Sequence, residues 1–295
     1  LHEGKKLVQQ TGGWQLAAAL VDALRRANCL VRTGPDWQLA PNAPLAAIDI
    51  GVPASIHGLV LSRLDRLPEA SKLALKVASV IGRVFELDLL AAAHPNHPPL
   101  SSLAAHFQML QARDFTRVET PPPRPVYLFK HNITQEVVYQ TLLESQRQEL
   151  HVAIARALET QTPEAVERLA HHYGQGDPAQ PAVRSKAIYY IDAAGWRARR
   201  EHANETALAY FDRALQLETR WSWLKGRAEA LHILGRRLQE EATLLVLDEM
   251  GDADAQHQME ARMLWAQFYA ATGDYIQAGQ ALQQAQALAV ALGDR

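Results

Sequence analysis

The sequence predicts a mostly α-helical protein in which helices with small β-hairpins are followed by helical repeats. Three observations support this prediction. Apolar residues recur with helical spacing along most of the 295 residues. Stretches rich in β-favouring residues are few and short, so strands contribute little beyond small hairpins. In the C-terminal half, motifs built around small residues recur at a nearly constant spacing, which is typical of a repeat architecture.

Composition and charge exclude several classes of protein. A hydrophobic content of 48% supplies enough apolar side chains for real cores in a chain of this length. The 30 basic residues nearly balance the 32 acidic ones, so no overall charge draws the chain to nucleic acid or to an anionic membrane. The single cysteine, Cys29, excludes an intrachain disulfide and is expected to be a buried small apolar residue in a reducing cytoplasm. No apolar run reaches the roughly 18–20 residues of a membrane span, so we expect a cytoplasmic protein without a membrane partner.

Residues 1–50 are predicted to form the end of an ATPase lid or helical segment with a short hairpin. The chain opens in helix-like sequence without an initiator methionine, and we expect it to be a piece of a longer protein. Apolar residues spaced four apart predict a helix near residues 14–28. A tight turn at residues 34–36 then joins two short predicted strands, 30–32 and 37–39.

Residues 51–145 are predicted to form a winged-helix-like domain. The first helices are predicted near residues 53–67, 68–81 and 87–93. A further helix near Leu100–Arg113 is followed by two strands, near Thr116–Glu119 and Val126–Phe129. Prolines between residues 121 and 125 form the loop that joins these strands, because proline cannot sit within a ladder. Helices followed by such a hairpin are the order of a winged-helix unit, with the proline run as its wing.

Residues 146–295 are predicted to form helical tetratricopeptide-type repeats. The first copy has small, small, aromatic and small residues spaced by 12, 4 and 3 positions: Gly195, Ala207, Phe211 and Ala214. Small residues let two helices touch, and the aromatic residue wedges into the next repeat. A weaker copy centres on Ala242 with Val246, and a clearer one contains Tyr269, Gly273, Ala278 and Ala285.

The spacing of the repeats supports this interpretation. The equivalent alanines, Ala207, Ala242 and Ala278, lie 35 and 36 residues apart, near the usual period of about 34. An ordinary helical bundle with alanine-rich contacts is the alternative. A repeat array presents a concave groove that binds a protein or peptide partner and performs no chemistry. We expect the array to continue beyond Arg295, since no capping helix follows the last predicted one.

No pattern in the sequence predicts a catalytic residue or a metal ligand. Gly4–Lys6 lacks the upstream glycine and the Ser/Thr of a phosphate-binding loop. His94 and His97 lie in a proline-rich loop without a nearby carboxylate or cysteine cluster, and the adjacent His171 and His172 face apart on a helix. The chain by itself is therefore predicted to be no enzyme and to hold no cofactor.

A winged helix often reads DNA, so the charge of this region matters. From residue 100 to residue 131, Arg113, Arg117, Arg124 and Lys130 oppose two acidic residues, which leaves a net charge of +2. A DNA-reading surface usually carries a denser basic stripe. A DNA-binding transcriptional regulator is the alternative function, and the sequence argues against a nucleic-acid partner.

Four blocks of the sequence resemble a known family. They are TGGWQLAAALVDALRRANCLVRTGPDWQLA (residues 11–40), VPASIHGLVLSRLDRLPEASKLALKVASVIGRVFELDLL (52–90), YLFKHNITQEVVYQTLLESQRQELHVAIARALE (127–159) and the repeat array. They are similar to the region after the nucleotide-binding core in bacterial signal-transduction ATPases of the STAND class. Those fused to class III adenylate cyclases, to kinases or to LuxR-type regulators are the most similar. The resemblance implies a lid, a winged helix and repeats that follow an ATPase core, and the core would bind ATP or ADP.

The sequence also departs from this family. Neither Walker motif is present in the chain, and Gly12-Gly13 are followed by Trp14-Gln15, where the family usually has asparagine and proline. The departure argues against a nucleotide contact from the lid.

The resemblance implies a role for His131, which leaves the second strand of the predicted hairpin. In related switch ATPases a winged-helix histidine contacts the phosphates of bound ADP and holds the closed state, and His131 resembles it in position. A ring N–H of histidine can donate to a phosphate, and loss of the contact would release the domain. The alternative is a histidine that caps the following helix or hydrogen-bonds within the core.

These expectations combine into a non-catalytic regulatory and protein-interaction region of a larger signalling ATPase. The winged helix would dock on the protein's own ATPase core. The repeats would bind a partner or ligand, and this binding would shift a closed–open equilibrium that controls an output domain.

Overall fold

The computed structural model describes residues 30–33, 36–39, 54–251 and 254–293. These residues form thirteen helices and five strands, so the predicted mostly α-helical class is confirmed. The helix predicted near residues 14–28, Cys29 and most of the predicted lid segment lie outside the described residues. Every helix in the described part of the chain is too short or too polar to span a bilayer.

Contacts divide the chain into two units, residues 1–157 and 158–295. This division falls within a helix and lies later than the boundary predicted after residue 145. The described elements of the first unit are β1 (Leu30–Thr33), β2 (Asp36–Leu39), α1 (Ala54–Asp65), α2 (Glu69–Ile81), β3 (Val84–Glu86), α3 (Leu87–Ala93), α4 (Leu100–Ala112), β4 (Thr116–Thr120), β5 (Val126–Phe129), α5 (Asn132–Gln140) and most of α6 (Glu144–Gln161).

The first unit contains two antiparallel sheets. β1 and β2 form the predicted hairpin, with Leu30 opposite Leu39. The second sheet has the strand order β3-β5-β4, and β5 pairs with both neighbours. The sequence does not predict β3, because it has only three residues and a single inward side chain, Phe85. A strand this short is below the length at which alternation becomes visible.

Aromatic side chains join this sheet to α4. Phe85 and Phe107 have ring centroids 5.2 Å apart, and Tyr127 lies 5.0 Å from Phe107. Phe129 closes the cluster at 5.7 Å from Phe85. These rings are almost completely buried, so the sheet and α4 share one apolar core. This core fixes the positions of the chain segments that enter β4 and leave β5.

The second unit is a succession of helices. After the end of α6 it contains α7 (Val166–Gly174), α8 (Pro181–Arg200), α9 (Asn204–Leu217), α10 (Trp221–Ile233), α11 (Arg237–Gly251), α12 (Ala255–Thr272) and α13 (Tyr275–Leu292). From α7 onward each helix packs against the next one along the chain. Gly273 ends α12 with a φ of 86°, a left-handed conformation that glycine adopts without strain.

Glu159 joins three helices within the second unit. Its carboxylate accepts hydrogen bonds from the Tyr173 hydroxyl at 2.6 Å, from Lys186 Nζ at 2.6 Å and from the Tyr190 hydroxyl at 2.7 Å. Burial raises the pKa of Glu159, but these donors outweigh it and hold the pKa below its ordinary value. Burial, followed by the hydrogen bond to Glu159, raises the pKa of Tyr190 to about 12. The ionised carboxylate and the neutral phenol therefore stabilise each other.

Replacing Glu159 by glutamine is expected to lower the free energy of unfolding of the second unit by about 1–3 kcal/mol, since three donors lose a charged acceptor. Urea unfolding at neutral pH measures this change. Glu164→Gln, an exposed carboxylate in the same unit, is the matched control and is expected to change stability by less than about 0.5 kcal/mol. A Glu159→Gln protein as stable as the control would contradict the expected role.

The same contacts make the second unit sensitive to alkali. The pKa of Tyr190 rises on folding, so its contribution is complete below the ordinary value of 10.0 and is lost as the pH rises toward about 12. A titration of tyrosinate absorbance is expected to show this shift in the wild-type protein. In Glu159→Gln the pKa of Tyr190 is expected to fall, because the neutral amide no longer repels the phenolate.

Candidate functional site: a cationic cluster beside His131

The fold brings the segment after β5 next to the segment before β4. The two strands are antiparallel, and Thr116 at the start of β4 pairs with Phe129 at the end of β5. The ladder continues one step further, because the backbone N–H of Lys130 donates to the Phe115 carbonyl at 3.0 Å. Lys130 and His131 are thereby held beside the C-terminal end of α4.

Three cations meet at this position, and we name Arg63, Arg113 and Lys130 the cationic cluster. Arg63 Nη2 donates to the Arg113 carbonyl at 2.5 Å, and Arg113 Nη1 donates to the Arg66 carbonyl at 3.0 Å. The Arg63 guanidinium lies over the ring of Phe115, 4.8 Å from its centroid. Carbonyl groups near the ends of α1 and α4 thus hold the two guanidinium groups, as suits cations at helix C-termini.

The cluster carries more positive charge than its surroundings neutralise. Lys130 Nζ pairs with Asp114 Oδ1 at 2.5 Å. This hydrogen bond, together with the charge of Lys130, holds the pKa of Asp114 below its ordinary value. Within residues 54–251 and 254–293, neither Arg63 nor Arg113 forms an ion pair. The charge of Arg63 also lowers the pKa of Asp114, so among the described residues this one carboxylate faces more than one cation of the cluster.

His131 lies at the edge of this cluster. It is the N-cap residue of α5, but its side chain makes no capping hydrogen bond. No hydrogen bond to its ring is found among the described residues. Burial, reinforced by Lys130 and Arg63, lowers the pKa of His131, whereas Asp114 opposes the shift. The half-buried imidazole is therefore neutral at neutral pH and can donate one ring N–H.

This arrangement suits the recognition of an anion. Guanidinium and ammonium groups bind phosphate or carboxylate oxygens through charge-assisted hydrogen bonds, and a neutral imidazole adds one more donor. The sequence singles out His131, Arg113 and Lys130, but it gives no signal for Arg63. Arg63 lies 50 residues before Arg113, and only the packing of α1 against this edge brings them together.

Other polar groups that the structure brings together do not form a catalytic site. Ser71 Oγ lies 2.9 Å from His106 Nδ1, which resembles a nucleophile–base pair. However, Ser71 is fully buried and out of reach of a substrate, and no described carboxylate orients His106. The Nδ1 atom of the buried His94 accepts from the Asn96 backbone at 3.2 Å, whereas His97 is exposed. We therefore assign structural roles to Ser71 with His106 and to His94 with His97.

The residues of the first predicted repeat lie together. Gly195, Ala207, Phe211 and Ala214 are all buried. A Cβ added to Gly195 would lie 3.0 Å from the Phe211 ring, and one added to Gly226 would lie 2.7 Å from it. Phe211 of α9 therefore fills the space that two glycines leave, one in α8 and one in α10. Gly226, which sequence reasoning missed, has the same role as Gly195.

The residues of the later copies are placed differently. Ala278 and Ala285 are buried in α13, and Tyr269 is half-buried and stacks on Trp265 at 5.3 Å. Ala242 and Gly273 are exposed, which corrects their assignment as packing residues. Gly273 ends a helix and has open space around it. Ala207, Phe211 and Ala214 are spaced by 4 and 3 residues. In α11 the buried residues with this spacing are Glu240, Leu244 and Leu247.

Comparison with known proteins leaves the family open. An uncharacterized protein of Rhizobium meliloti (strain 1021) is 28% identical to this chain over 185 residues, or 61% of the chain. The matched region spans 17% of the length of that protein. No family model and no solved structure matches the chain.

Proposed function

We propose that this chain is a non-catalytic regulatory and protein-interaction region of a larger signalling ATPase. In this proposal the first unit acts as a winged helix that docks on a nucleotide-binding core elsewhere in the protein. The second unit acts as a tetratricopeptide-type array that binds a partner or ligand. Binding then shifts an equilibrium between a closed and an open state, and this controls an output domain.

The observation that carries the proposal is the imidazole of His131, which has no described hydrogen-bond partner and borders an excess of positive charge. A ring N–H of histidine beside a cationic cluster suits a terminal phosphate of ADP. The absence of a capping hydrogen bond weakens the alternative in which His131 serves to cap α5.

The topology of both units agrees with the proposed classes. The order α2, β3, α3, α4, β4 and β5, with the sheet order β3-β5-β4, supports the proposal of a winged helix. The placement of Phe211 between two glycines suits the packing of a helical repeat. The relative in Rhizobium meliloti supports a role as one part of a larger protein, because the matched region is a small fraction of its length.

The chain's own residues then have defined roles toward a phosphate. His131 would donate its ring N–H to a phosphate oxygen of a nucleotide bound to the core, and Lys130 and Arg63 would stabilise the negative charge of that phosphate. When this contact is lost, the first unit is released from the core. A shift of the equilibrium from 1:99 to 99:1 requires about 5.5 kcal/mol of differential affinity, which several charge-assisted contacts can supply.

ATP hydrolysis by the 295-residue chain, compared with the full-length gene product, tests the non-catalytic assignment. We expect no phosphate release above background from the chain and measurable turnover by the full-length protein. Stoichiometric or faster hydrolysis by the chain alone would overturn the proposal.

The DNA-reading alternative has less support from the charges of the described residues. Of the four basic residues at issue, Lys130 pairs with Asp114, and Arg117 lies 3.8 Å from Glu119. Fluorescence anisotropy with duplex DNA at two salt concentrations separates the functions. Tight binding that weakens steeply with salt would favour DNA recognition, and we expect weak binding with little salt dependence.

A further inference from the structure

A cleft in the second unit contains a cation without an acidic partner. The cleft is about 470 Å³ in volume and is lined by Glu205, Thr206, Ala209, Tyr210 and Arg213 of α9; we name it the Arg213 cleft. All of its lining residues belong to one helix, so the cleft is an open depression on the surface of α9. The exposed surface of the lining is mostly apolar, although four of the five lining residues also carry a polar or charged group.

Arg213 extends from α9 to the C-terminal end of α7. A Cβ added to Gly174 would overlap Nη2 of Arg213, so the guanidinium lies directly over this glycine. The side chain is half-buried, and within the described residues it forms no ion pair or hydrogen bond. Burial lowers the pKa of Arg213, and the nearby Tyr210 raises it by a smaller amount. A partly desolvated cation without a partner costs free energy, and a ligand would offset this cost.

The acidic groups near the cleft already have partners. Both carboxylate oxygens of Glu205 accept from Arg236, at 2.7 and 2.8 Å. Glu167 pairs with Arg197 at 3.4 Å. Within each of these two ion pairs the charges cancel. The charge of Arg213 is therefore the one positive charge on the cleft without an acidic partner among the described residues.

Tyr210 supplies a second donor beside this charge. Burial, followed by the charge of Glu167, raises the pKa of Tyr210, so its hydroxyl stays protonated at neutral pH. Within the described residues the hydroxyl has no hydrogen-bond partner. The cleft is therefore lined by the side chain of Arg213, by the phenol of Tyr210 and by Ala209.

We propose that the Arg213 cleft binds a carboxylate attached to an apolar body. The planar guanidinium matches the two oxygens of a carboxylate, and the phenol of Tyr210 donates to one of them. A single positive charge and a mostly apolar lining favour a monocarboxylate over a phosphate, which carries more charge and has no apolar part. This proposal concerns the second unit alone and does not depend on the phosphate-sensing role of His131.

Isothermal titration of the 295-residue chain with sodium benzoate tests the proposal. We expect saturable binding in the millimolar range, and no binding of benzamide, which has the same shape without the charge. Arg213→Gln is expected to weaken benzoate binding at least about tenfold. Arg200→Gln, an exposed arginine of α8 in the same unit, is the matched control and is expected to leave the affinity unchanged.

Gly174→Ala provides a second variant that keeps the charge of Arg213. Its new methyl group displaces the guanidinium, so benzoate binding is again expected to weaken by about tenfold. Benzoate affinity that is unchanged in folded Arg213→Gln and in Gly174→Ala would overturn the proposal. Inorganic phosphate that binds more tightly than benzoate through Arg213 would overturn the choice of a carboxylate.

Binding of a peptide distinguishes two possible sources of the carboxylate, a peptide C-terminus and a small organic acid. N-acetyl-Ala-Ala-Phe with a free C-terminus is compared with the same peptide as its C-terminal amide. Tighter binding of the free acid than of benzoate would assign the cleft to a peptide C-terminus. Equal or weaker binding would assign it to a small organic acid.

Discussion

Replacing Phe211 by alanine is expected to lower the free energy of unfolding of the second unit by about 3–5 kcal/mol. The ring is fully buried, and it packs against Trp196 with centroids 5.1 Å apart. It also occupies the space opposite Gly195 and Gly226, and neither glycine has a side chain to fill this space after the ring is removed. A cavity therefore remains, and its cost adds to the lost burial of the ring.

Urea unfolding monitored by circular dichroism measures this change. Leu245→Ala, a substitution at an exposed apolar residue of α11, is the matched control and is expected to change stability by less than about 0.5 kcal/mol. Gly226→Ala is expected to destabilise the wild-type protein, because its methyl group would lie 2.7 Å from the Phe211 ring. The same change should cost much less in a protein that already carries Phe211→Ala, and the two effects are then not additive. Additive effects would show that the ring and Gly226 are not packed as described.

On the proposed regulatory function, replacing His131 by alanine in the full-length gene product is expected to raise the activity of the proposed output domain. A hydrogen bond to a charged group contributes about 1.5–3 kcal/mol, which corresponds to a loss of about 10–150-fold in the affinity of the first unit for the ADP-bound core. The closed state then becomes less populated, and the output domain is released. An activity assay of the output domain at saturating ADP measures this change.

His57→Ala is the matched control, because His57 is a half-buried histidine of α1 in the same unit. It is expected to leave the output activity within about twofold of wild type, because His57 is not part of the cluster. Output activity that is the same in His131→Ala and in wild type would make His131 a structural residue. The regulatory role would then have to be sought in the second unit.

The response to pH follows from the charges around His131. Burial, Lys130 and Arg63 lower the pKa of the imidazole, so the ring binds its proton less readily than a free histidine. A phosphate beside it would reverse this preference, and the occupied state then binds an extra proton. ADP retention is therefore expected to strengthen as the pH falls from about 7.5 to about 6 in wild type, but not in His131→Ala.

Local patterns predicted most of the elements correctly. The prolines between residues 121 and 125 marked the loop of the β4–β5 hairpin, and Pro68 marked the start of α2. These signals are strong because proline acts on the backbone at its own position. Strand β3 was not predicted, because three residues with one inward side chain are too few to show an alternating apolar pattern.

The repeat register shows where a pattern in the sequence misleads. Ala242 has the spacing of Ala207 and Ala278, but the buried position in α11 is Glu240, only 2% exposed. Its carboxylate accepts from Arg237 Nη1 at 2.5 Å and lies 2.7 Å from His232 Nδ1. A carboxylate in a position that small residues usually fill requires these partners, and spacing alone cannot predict them.

One part of the candidate site could be predicted from the sequence, and the other part depends on tertiary packing. His131 could be singled out because it follows a predicted strand in the position of the histidine in the family that the sequence resembles. The cationic cluster beside it could not, since Arg63 and Arg113 meet only through the packing of distant segments. The Arg213 cleft has the same origin, because Gly174 and Arg213 lie on different helices and no motif joins them.

The nucleotide content of the full-length gene product tests the central claim most directly. The purified protein is denatured, and the released nucleotide is quantified by chromatography for wild type and for His131→Ala. We predict about one ADP per wild-type molecule and a loss of at least about tenfold in His131→Ala. Wild-type protein that retains no nucleotide, or equal ADP in both proteins, would contradict the claim that His131 holds the closed state through a phosphate.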